Sequence, residues 1–122
     1  MDTHERRQLL AAIPGPDTEH EILVRMEQAV SFEGDQNSTQ IRIMYIPDRL
    51  LLPDESLRAY FNVVSTLDYG SLETLAVKLL DDFNNEIVPR WVQIDIITTG
   101  VQTTATARQP GWDNPNLLSS IF

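Results

Sequence analysis

The stretch YIPDRLLLPDESLRAYF, from Tyr45 to Phe61, contains the junction that decides the fold. Pro47 and Pro53 bracket a short connector, and Asp54 follows at the point where a helix can begin. Proline is favoured at the entry to a helix, and acidic side chains interact well with the helix dipole in the first turn. The stretch therefore predicts a chain that leaves a strand, crosses a connector and enters a helix.

The residues before this junction predict two paired strands. Residues 40–46, QIRIMYI, place two isoleucines and a tyrosine on one face and an arginine, a methionine and an isoleucine on the other. Residues 21–30, EILVRMEQAV, alternate less regularly. Between the two lies a loop of turn-forming residues, EGDQNST at 33–39. We expect an antiparallel hairpin here.

The residues after the junction predict two helices. The first follows Pro53 and ends at the Asp-Tyr-Gly sequence of residues 68–70, with a buried stripe at Leu57, at Tyr60 or Phe61, and at Val64. Ser71 is a candidate N-cap for the second helix, and Pro89 ends it. Its apolar residues recur at i, i+3, i+4, i+7, i+8, i+11 and i+15, the spacing of one helix face. They are Leu72, Leu75, Ala76, Leu79, Leu80, Phe83 and Ile87.

A second hairpin completes the predicted fold. Residues 91–98, WVQIDIIT, and residues 101–107, VQTTATA, are rich in β-branched side chains and flank a turn at Gly100. The order β-β-α-α-β-β predicts an α+β unit, a four-stranded antiparallel sheet with both helices on one face. The exposed edges of so small a sheet predict a homo-oligomer in which subunits pair their edges.

The segments that flank this unit predict a three-part chain: an N-terminal arm at 1–20, the domain at 21–108 and a tail at 109–122. The arm contains HERRQLLAAI, with Leu9, Leu10 and Ile13 at helical spacing, before a break at residues 14–17. The tail ends in apolar residues, which must cover either their own sheet or a neighbour's. These tail residues are Leu117, Leu118, Ile121 and Phe122.

Composition excludes several classes of function. The 122 residues carry a net charge of −9, from nine basic and eighteen acidic side chains. Such a surface repels nucleic acid and anionic membranes, so we expect neither as a partner. The sequence has no cysteine and two histidines, which excludes thiolate chemistry and disfavours a zinc site, so no metal is expected. The chain shows no targeting segment or membrane span, and we expect a cytoplasmic protein.

The residues around the junction resemble the tunnelling-fold (T-fold) proteins, and among these the short nitrile reductases of queuosine biosynthesis, the QueF family. Tyr45-Ile46-Pro47-Asp48 matches that family's Tyr-Ile-Pro-Asp motif, and Ser56-Leu57-Arg58-Ala59-Tyr60 matches the end of its next motif at the same spacing. Pro89-Arg90 fits the end of the second helix. The resemblance covers residues 23–107. It implies a T-fold and oligomeric rings, in which members reduce 7-cyano-7-deazaguanine with NADPH at subunit boundaries.

The family's functional residues carry over only in part. Its nucleophilic cysteine falls at Val30, and its proton-handling aspartate falls at Asn37, with Asp35 nearby. A lysine suited to the cofactor's phosphate is replaced by Glu55, which reverses the charge. We therefore expect no NADPH, no other cofactor and no nitrile reduction. Glu73 remains, and the resemblance implies that this carboxylate anchors the N–H edge of a purine-like or pterin-like ring.

Three further groups have a functional and a structural interpretation. Asp95 lies in a strand and is either an outward residue or an acid at a subunit boundary. Trp112, in a Pro-Gly-Asn loop, is a candidate to stack on a planar ring, whereas Trp91 suits the core. Asp81 and Asp82 are interpreted as a solvated helix face. Glu73 itself is also the kind of acid that a helix dipole favours in a first turn.

Three functions follow from the sequence. The first is a T-fold protein that binds a purine-, deazapurine- or pterin-like heterocycle through Glu73 without reducing it. The second is an enzyme with cysteine-free acid–base chemistry in the same pocket, with Glu73, Asp35 or Asp95 as acid or base. The third is a structural or regulatory subunit without a small ligand. An open pocket at Glu73 favours the first, and a filled apolar pocket around Val30 and Leu72 favours the third.

Overall fold

The computed structural model describes residues 2–15, 20–32 and 38–119. Its helices and strands, in chain order, are α1 Thr3–Gln8, β1 Ile13–Pro14, β2 Val24–Val30, β3 Thr39–Ile46, β4 Leu50–Leu51, α2 Asp54–Val64, α3 Leu72–Ile87, β5 Trp91–Thr98, β6 Val101–Arg108 and α4 Pro115–Ser119. No helix of this described part is long and apolar enough to cross a bilayer.

The main sheet has four antiparallel strands in the order β2-β3-β5-β6. Strand alternation sends one set of side chains toward α2 and α3, where Ile43 lies opposite Ile94 in the register and both are fully buried. Both Tyr60 and Phe61 of α2 enter the same core, with Phe83 of α3. The predicted α+β architecture is confirmed: two hairpins enclose a pair of helices that cover one sheet face.

Local chemistry explains both ends of α3. The Ser71 hydroxyl accepts a hydrogen bond from the Thr74 backbone N–H at 3.2 Å, as expected of an N-cap. At the other end Val88 adopts a left-handed conformation with φ 42°, and Pro89 follows. A β-branched residue is strained in this region, which glycine normally occupies at a helix end. The buried stripe of α3 faces β5 and β6.

The opposite face of the sheet, which we call the helix-free face, is covered at one end by the chain's own tail. Met44, Ile46 and Trp91 form a second buried cluster there. Leu117 and Leu118 of α4 pack against it, together with Trp112. Leu117 and Leu118 of the apolar tail therefore cover the sheet of their own chain, one of the two alternatives that the sequence left open. Ile121 and Phe122 lie outside the described residues.

The N-terminal arm is bound to the domain more closely than the sequence indicated. Leu10 is buried in the main core, and Ile13-Pro14 pairs with Leu50-Leu51 as a small second sheet. The helical spacing of Ile13 was therefore misleading, because this residue lies in β1. The connector between the two prolines supplies the partner strand, β4. A two-residue strand is too short to leave a period that sequence patterns reveal.

The prediction that Asp82 lies on a solvated face is wrong. Its side chain is fully buried, and its two oxygens accept hydrogen bonds from Arg6 Nε at 2.6 Å and Arg7 Nε at 2.8 Å. The Tyr60 hydroxyl donates to Oδ2 as well. We call these four residues the Asp82 cluster. Asp82 lies three residues after Leu79 and seven after Leu75, which places it on the apolar stripe of α3.

Candidate functional site

The place that the resemblance assigns to a nucleophilic thiol is filled with apolar side chains. Val30, at the end of β2, is 4% exposed and belongs to the main core. Phe32 lies in the same core, and its ring meets that of Tyr69 edge to face with centroids 4.9 Å apart. Leu72 packs against this core from the start of α3. No polar group in this set can attack a nitrile.

Glu73 lies in the first turn of α3, one residue beyond this apolar region. It is exposed to solvent. Within the described residues its carboxylate has no hydrogen-bond partner, and the nearby Thr74 N–H is bonded to Ser71 instead. Both oxygens are therefore available to an incoming ligand. The helix dipole stabilises their negative charge at this end of α3.

The segment where the resemblance implies a phosphate contact makes local contacts in this structure. Asp54 pairs with Arg58 one turn later, with N–O 2.8 Å, and both side chains are mostly exposed. The Ser56 hydroxyl donates to the Ala11 carbonyl at 3.4 Å and so reaches the N-terminal arm. Glu55 is exposed and keeps a negative charge on this surface. Asp35 and Asn37 lie outside the described residues.

Asp95 is on the helix-free face, where it is 2% exposed. It accepts hydrogen bonds from Thr104 Oγ1 at 2.6 Å and from Gln93 Nε2 at 3.2 Å to each oxygen. Arg42 stands 3.8 Å away and at the same distance from Glu27. The predicted strand is confirmed, and side chains of the neighbouring strands bury Asp95 on the helix-free face.

Trp112 is half-buried, and its role in the structure is visible. Its indole N–H donates to Glu21 Oε2 at 2.7 Å, while its ring packs on the cluster of the helix-free face. Asn114 and Arg90 also donate to Glu21, at 2.8 and 3.3 Å. Burial alone would raise the pKa of Glu21, but these three donors outweigh it and hold the pKa below its usual value. Trp112 thus fastens the tail to the domain.

The motif residues behind the family resemblance hold the scaffold together. The Tyr45 hydroxyl accepts a hydrogen bond from the Leu52 N–H at 3.0 Å and so fixes the connector against β3. Asp48 lies 3.5 Å from Arg90 Nε and accepts from Gln109 Nε2 at 3.1 Å. This network ties the ends of three strands. Sequence reasoning matched these residues to a motif but did not find their partners.

Two clefts among the described residues lie apart from Glu73 and Asp95. One of about 420 Å³ is lined by Asp48, Arg49, Leu50, Ile87 and Val88. A second, also about 420 Å³, is lined by the loop at residues 108–113. Over residues 2–15, 20–32 and 38–119, no group of three acidic or histidine side chains could hold a metal ion.

Comparison with known proteins agrees with this scaffold. No protein-family model matches the chain. The NADPH-dependent 7-cyano-7-deazaguanine reductase of Nitrosococcus oceani is 28% identical over 116 residues, covering 88% of each chain. The apo structure of an archaeosine synthase, described as QueF-Like, superposes with a TM-score of 0.54 at 18% identity, covering 80% of this chain and 100% of that one.

At 18% identity the structural match concerns the fold alone, whereas the sequence match to the reductase extends over most of both chains. Together with the strand order and the confirmed junction, these similarities identify the scaffold. The chain has a QueF-like T-fold and is similar in sequence to a 7-cyano-7-deazaguanine reductase.

Proposed function

We propose that this protein is a QueF-like T-fold protein that binds a planar heterocycle of purine, deazapurine or pterin type at a boundary between subunits, without nitrile reductase chemistry. Glu73 is the anchor of this proposal. The observation that carries it is the exposed Glu73 carboxylate, which has no partner among the described residues and lies beside the region that corresponds to the family's site.

The loss of nitrile chemistry is supported by what occupies the site. Attack on a nitrile carbon requires a strong nucleophile, and the 122 residues include no cysteine. Val30 fills the corresponding place with an alkyl group inside the core. Glu55 adds negative charge where the phosphates of NADPH would need cations. Covalent capture and hydride transfer both lack their protein groups.

Binding a heterocycle requires fewer protein groups than reducing a nitrile does. Guanine-like and pterin-like rings present two N–H groups in parallel, the lactam N–H of the ring and one N–H of the neighbouring 2-amino group. One carboxylate accepts both in a bidentate, charge-assisted contact, which is stronger than neutral hydrogen bonds. Glu73 offers such a carboxylate on the rigid first turn of a helix. A second subunit at the predicted boundary would supply the walls that exclude water and strengthen this contact.

A structural or regulatory subunit without a small ligand is the second candidate. It is favoured by the apolar filling around Val30 and Leu72, which leaves little of the family's pocket inside this chain. Acid–base catalysis gains no similar support, because Asp95 is occupied by Thr104 and Gln93. Glu73 therefore decides between the two leading functions.

Calorimetric titration tests the proposal directly. The purified protein is titrated with 7-cyano-7-deazaguanine, guanine and a pterin, and the titrations are repeated with Glu73→Gln. Asp81→Asn, an exposed acid on the same helix, is the matched control. We expect one of the rings to bind, and Glu73→Gln to weaken binding about 30-fold, the equivalent of about 2 kcal/mol.

The control variant should bind as the native protein does. A parallel assay should show no oxidation of NADPH with 7-cyano-7-deazaguanine. If none of the three rings binds, the anchor role of Glu73 is rejected and the structural subunit becomes the better account. Turnover of NADPH would instead overturn the loss of reductase chemistry.

A further inference from the structure

A cleft between the connector and the end of α3 lies outside the proposed heterocycle site. Its volume of about 420 Å³ falls within the range of about 300–1,000 Å³ that is typical of small-molecule sites. Because α3 has 16 residues, this cleft beyond its last turn lies roughly 20 Å from Glu73 in its first turn. The proposed function therefore does not use it. The residues that line the cleft are Asp48, Arg49, Leu50, Ile87 and Val88.

Three neighbouring aliphatic side chains give the cleft an apolar wall. Ile87 is buried and belongs to the main core, and Leu50 of β4 is half-buried. The side chain of Val88 stands beside them with 52% of its surface exposed, which makes it one of the large apolar residues that the fold leaves open to water. A ligand that covered these three residues would remove apolar surface from water, which is favourable.

Val88 occupies this wall in a strained conformation. Its φ of 42° lies in the left-handed region, which a β-branched residue rarely adopts. Pro89 follows, and proline favours an extended conformation in the residue before it. Gln109 holds the strained residue in place, because its Nε2 donates to the Val88 carbonyl at 3.3 Å. Glycine would fit this backbone without strain, and strained residues of this kind cluster at functional sites.

The two charged residues at the rim of the cleft differ in their partners. Asp48 accepts a hydrogen bond from Gln109 Nε2 at 3.1 Å and lies 3.5 Å from Arg90 Nε. Arg49 is exposed, and its guanidinium has no hydrogen bond or ion pair among the described residues. The formal charges of Asp48 and Arg49 cancel, so the rim has no long-range attraction for either sign of charge. The N–H fork of Arg49 can nonetheless hold a carboxylate by direct, bidentate contact.

From these observations we propose that the cleft binds a small amphipathic carboxylate, a molecule with a compact apolar body and one carboxylate group. The apolar body packs against Leu50, Ile87 and Val88, and Arg49 holds the carboxylate. A neutral molecule of the same shape would bury the same apolar surface but lose the charge-assisted contact. The isopropyl group of Val88 completes the wall, a contact that the less strained glycine would not supply.

Nuclear magnetic resonance titration of the intact protein tests this site. The probe is 4-phenylbutyrate, while 4-phenyl-1-butanol lacks its charge and acetate lacks its apolar body. The methyl signals of Ile87 and Val88 report binding in the cleft. Those of Val101, which is 49% exposed beside the turn at Gly100, report non-specific contact. We expect 4-phenylbutyrate to shift the Ile87 and Val88 signals saturably and not those of Val101, and the two comparison compounds to bind at least fivefold more weakly.

Two substitutions separate a binding role from a structural one. Val88→Gly should weaken binding of 4-phenylbutyrate about fivefold or more and yet raise the denaturation midpoint, because it removes both the wall and the strain. Arg49→Gln should reduce binding of 4-phenylbutyrate to that of the alcohol. Val101→Ala, which shortens an equally exposed valine, is the matched control and should leave binding unchanged.

Three results would overturn the proposal. The first is the absence of a saturable shift at Ile87 and Val88. The second is equal binding of the alcohol, which would leave Arg49 without a role. The third is a Val88→Gly variant that binds as the native protein does, or that loses stability together with binding, as a residue needed only for packing would. Titration of the Glu73 site with heterocycles is independent of these results, and Val88→Gly should leave it unchanged.

Discussion

Two buried aspartates stand on different elements of this protein and are stabilised in different ways. Asp82, on α3, receives hydrogen bonds from two arginines and a tyrosine inside the layer of helices. Asp95, on β5, receives hydrogen bonds from two neutral donors, Gln93 and Thr104. The guanidinium of Arg42 lies 3.8 Å from its carboxylate. The first is a closed cluster that joins distant parts of the chain. The second belongs to a network in which Gln93 Oε1 is buried without a hydrogen-bond partner among the described residues.

This difference separates a buried charge that is paired with cations from one that is held mainly by neutral donors. The Asp82 cluster connects residues 76 positions apart, so it closes the N-terminal arm onto the domain. Burial alone would raise the pKa of Asp82, but the bonds from Arg6, Tyr60 and Arg7 outweigh it and hold the pKa below its usual value. Burial beside this carboxylate also raises the pKa of Tyr60. Both arginines and the tyrosine bond to Asp82, so no side chain of the cluster lacks a partner.

The largest expected effect comes from breaking the closed cluster. Asp82→Asn leaves the largely buried guanidinium of Arg6 without its counter-charge, and removing one partner of a buried ion pair destabilises a fold by about 3–5 kcal/mol. Chemical denaturation should show this loss. Asp81→Asn, exposed on the same helix, should change stability by less than about 0.5 kcal/mol. Similar values for the two variants would contradict the role assigned to Asp82.

Acid should weaken the same cluster. Because the pKa of Asp82 is lowered on folding, its contribution is fully present above the ordinary aspartate value of 3.8 and is lost as the pH falls below it toward the folded pKa. Glu21, with its lowered pKa, adds to this dependence. Denaturation curves measured from about pH 5 down to about pH 2 should show a loss of stability in the native protein and a smaller loss in Asp82→Asn. An unchanged pH slope in that variant would contradict the linkage.

Breaking the hydrogen bonds around Asp95 should lower the stability of the protein less than breaking the Asp82 cluster does. Asp95→Asn removes the charged acceptor of the bonds from Gln93 and Thr104, and because bonds to a charged group are the stronger ones, we expect a loss of about 1–3 kcal/mol. Glu27→Gln is the matched control, because Glu27 lies in the same cross-strand row but is half exposed. Denaturant midpoints measure both. A loss as large as that of Asp82→Asn would show that the two aspartates are equivalent in stability.

The smallest expected loss of stability comes from breaking an exposed ion pair. Arg58→Ala removes the surface ion pair with Asp54, one turn apart on α2, and should cost about 0.3–0.5 kcal/mol. Added salt should diminish even that difference, since exposed pairs are screened. Thermal melts at low and high ionic strength check it. A loss above about 1 kcal/mol would mean that exposed charges contribute to this fold as buried ones do.

The architecture could be predicted because its signals are local and repeated. Alternation over residues 40–46 and the seven apolar positions of α3 each specify one buried face, and turns at Gly100 and around Gly70 separate the elements. The junction at Tyr45 also carried the family resemblance. The Ser71 cap was predictable for the same reason, since its bond to Thr74 spans only three residues.

The candidate site could be predicted only in part. The absence of cysteine is a fact of the sequence, and the charge reversal at Glu55 follows from the resemblance; together they motivate the proposal that reductase chemistry is lost. Glu73 follows from a resemblance and remains a proposal. Asp35 lies outside the described residues, so the structure adds nothing to it. Experiments at Glu73 are therefore the test of whether this fold binds a heterocycle.

By itself, then, the sequence determined the elements of the domain, its two hairpins with a helix pair between them, and the absence of cysteine from its 122 residues. Only the tertiary structure decided which polar residues are buried. Asp82 lies on an apolar stripe, but its burial depends on arginines 75 and 76 positions away. Likewise, the unpaired acceptor of Gln93 emerges only when β5 is placed between β3 and β6. A periodic pattern reflects residues that are close in the chain, whereas a buried charge is paired with residues that only the fold brings close.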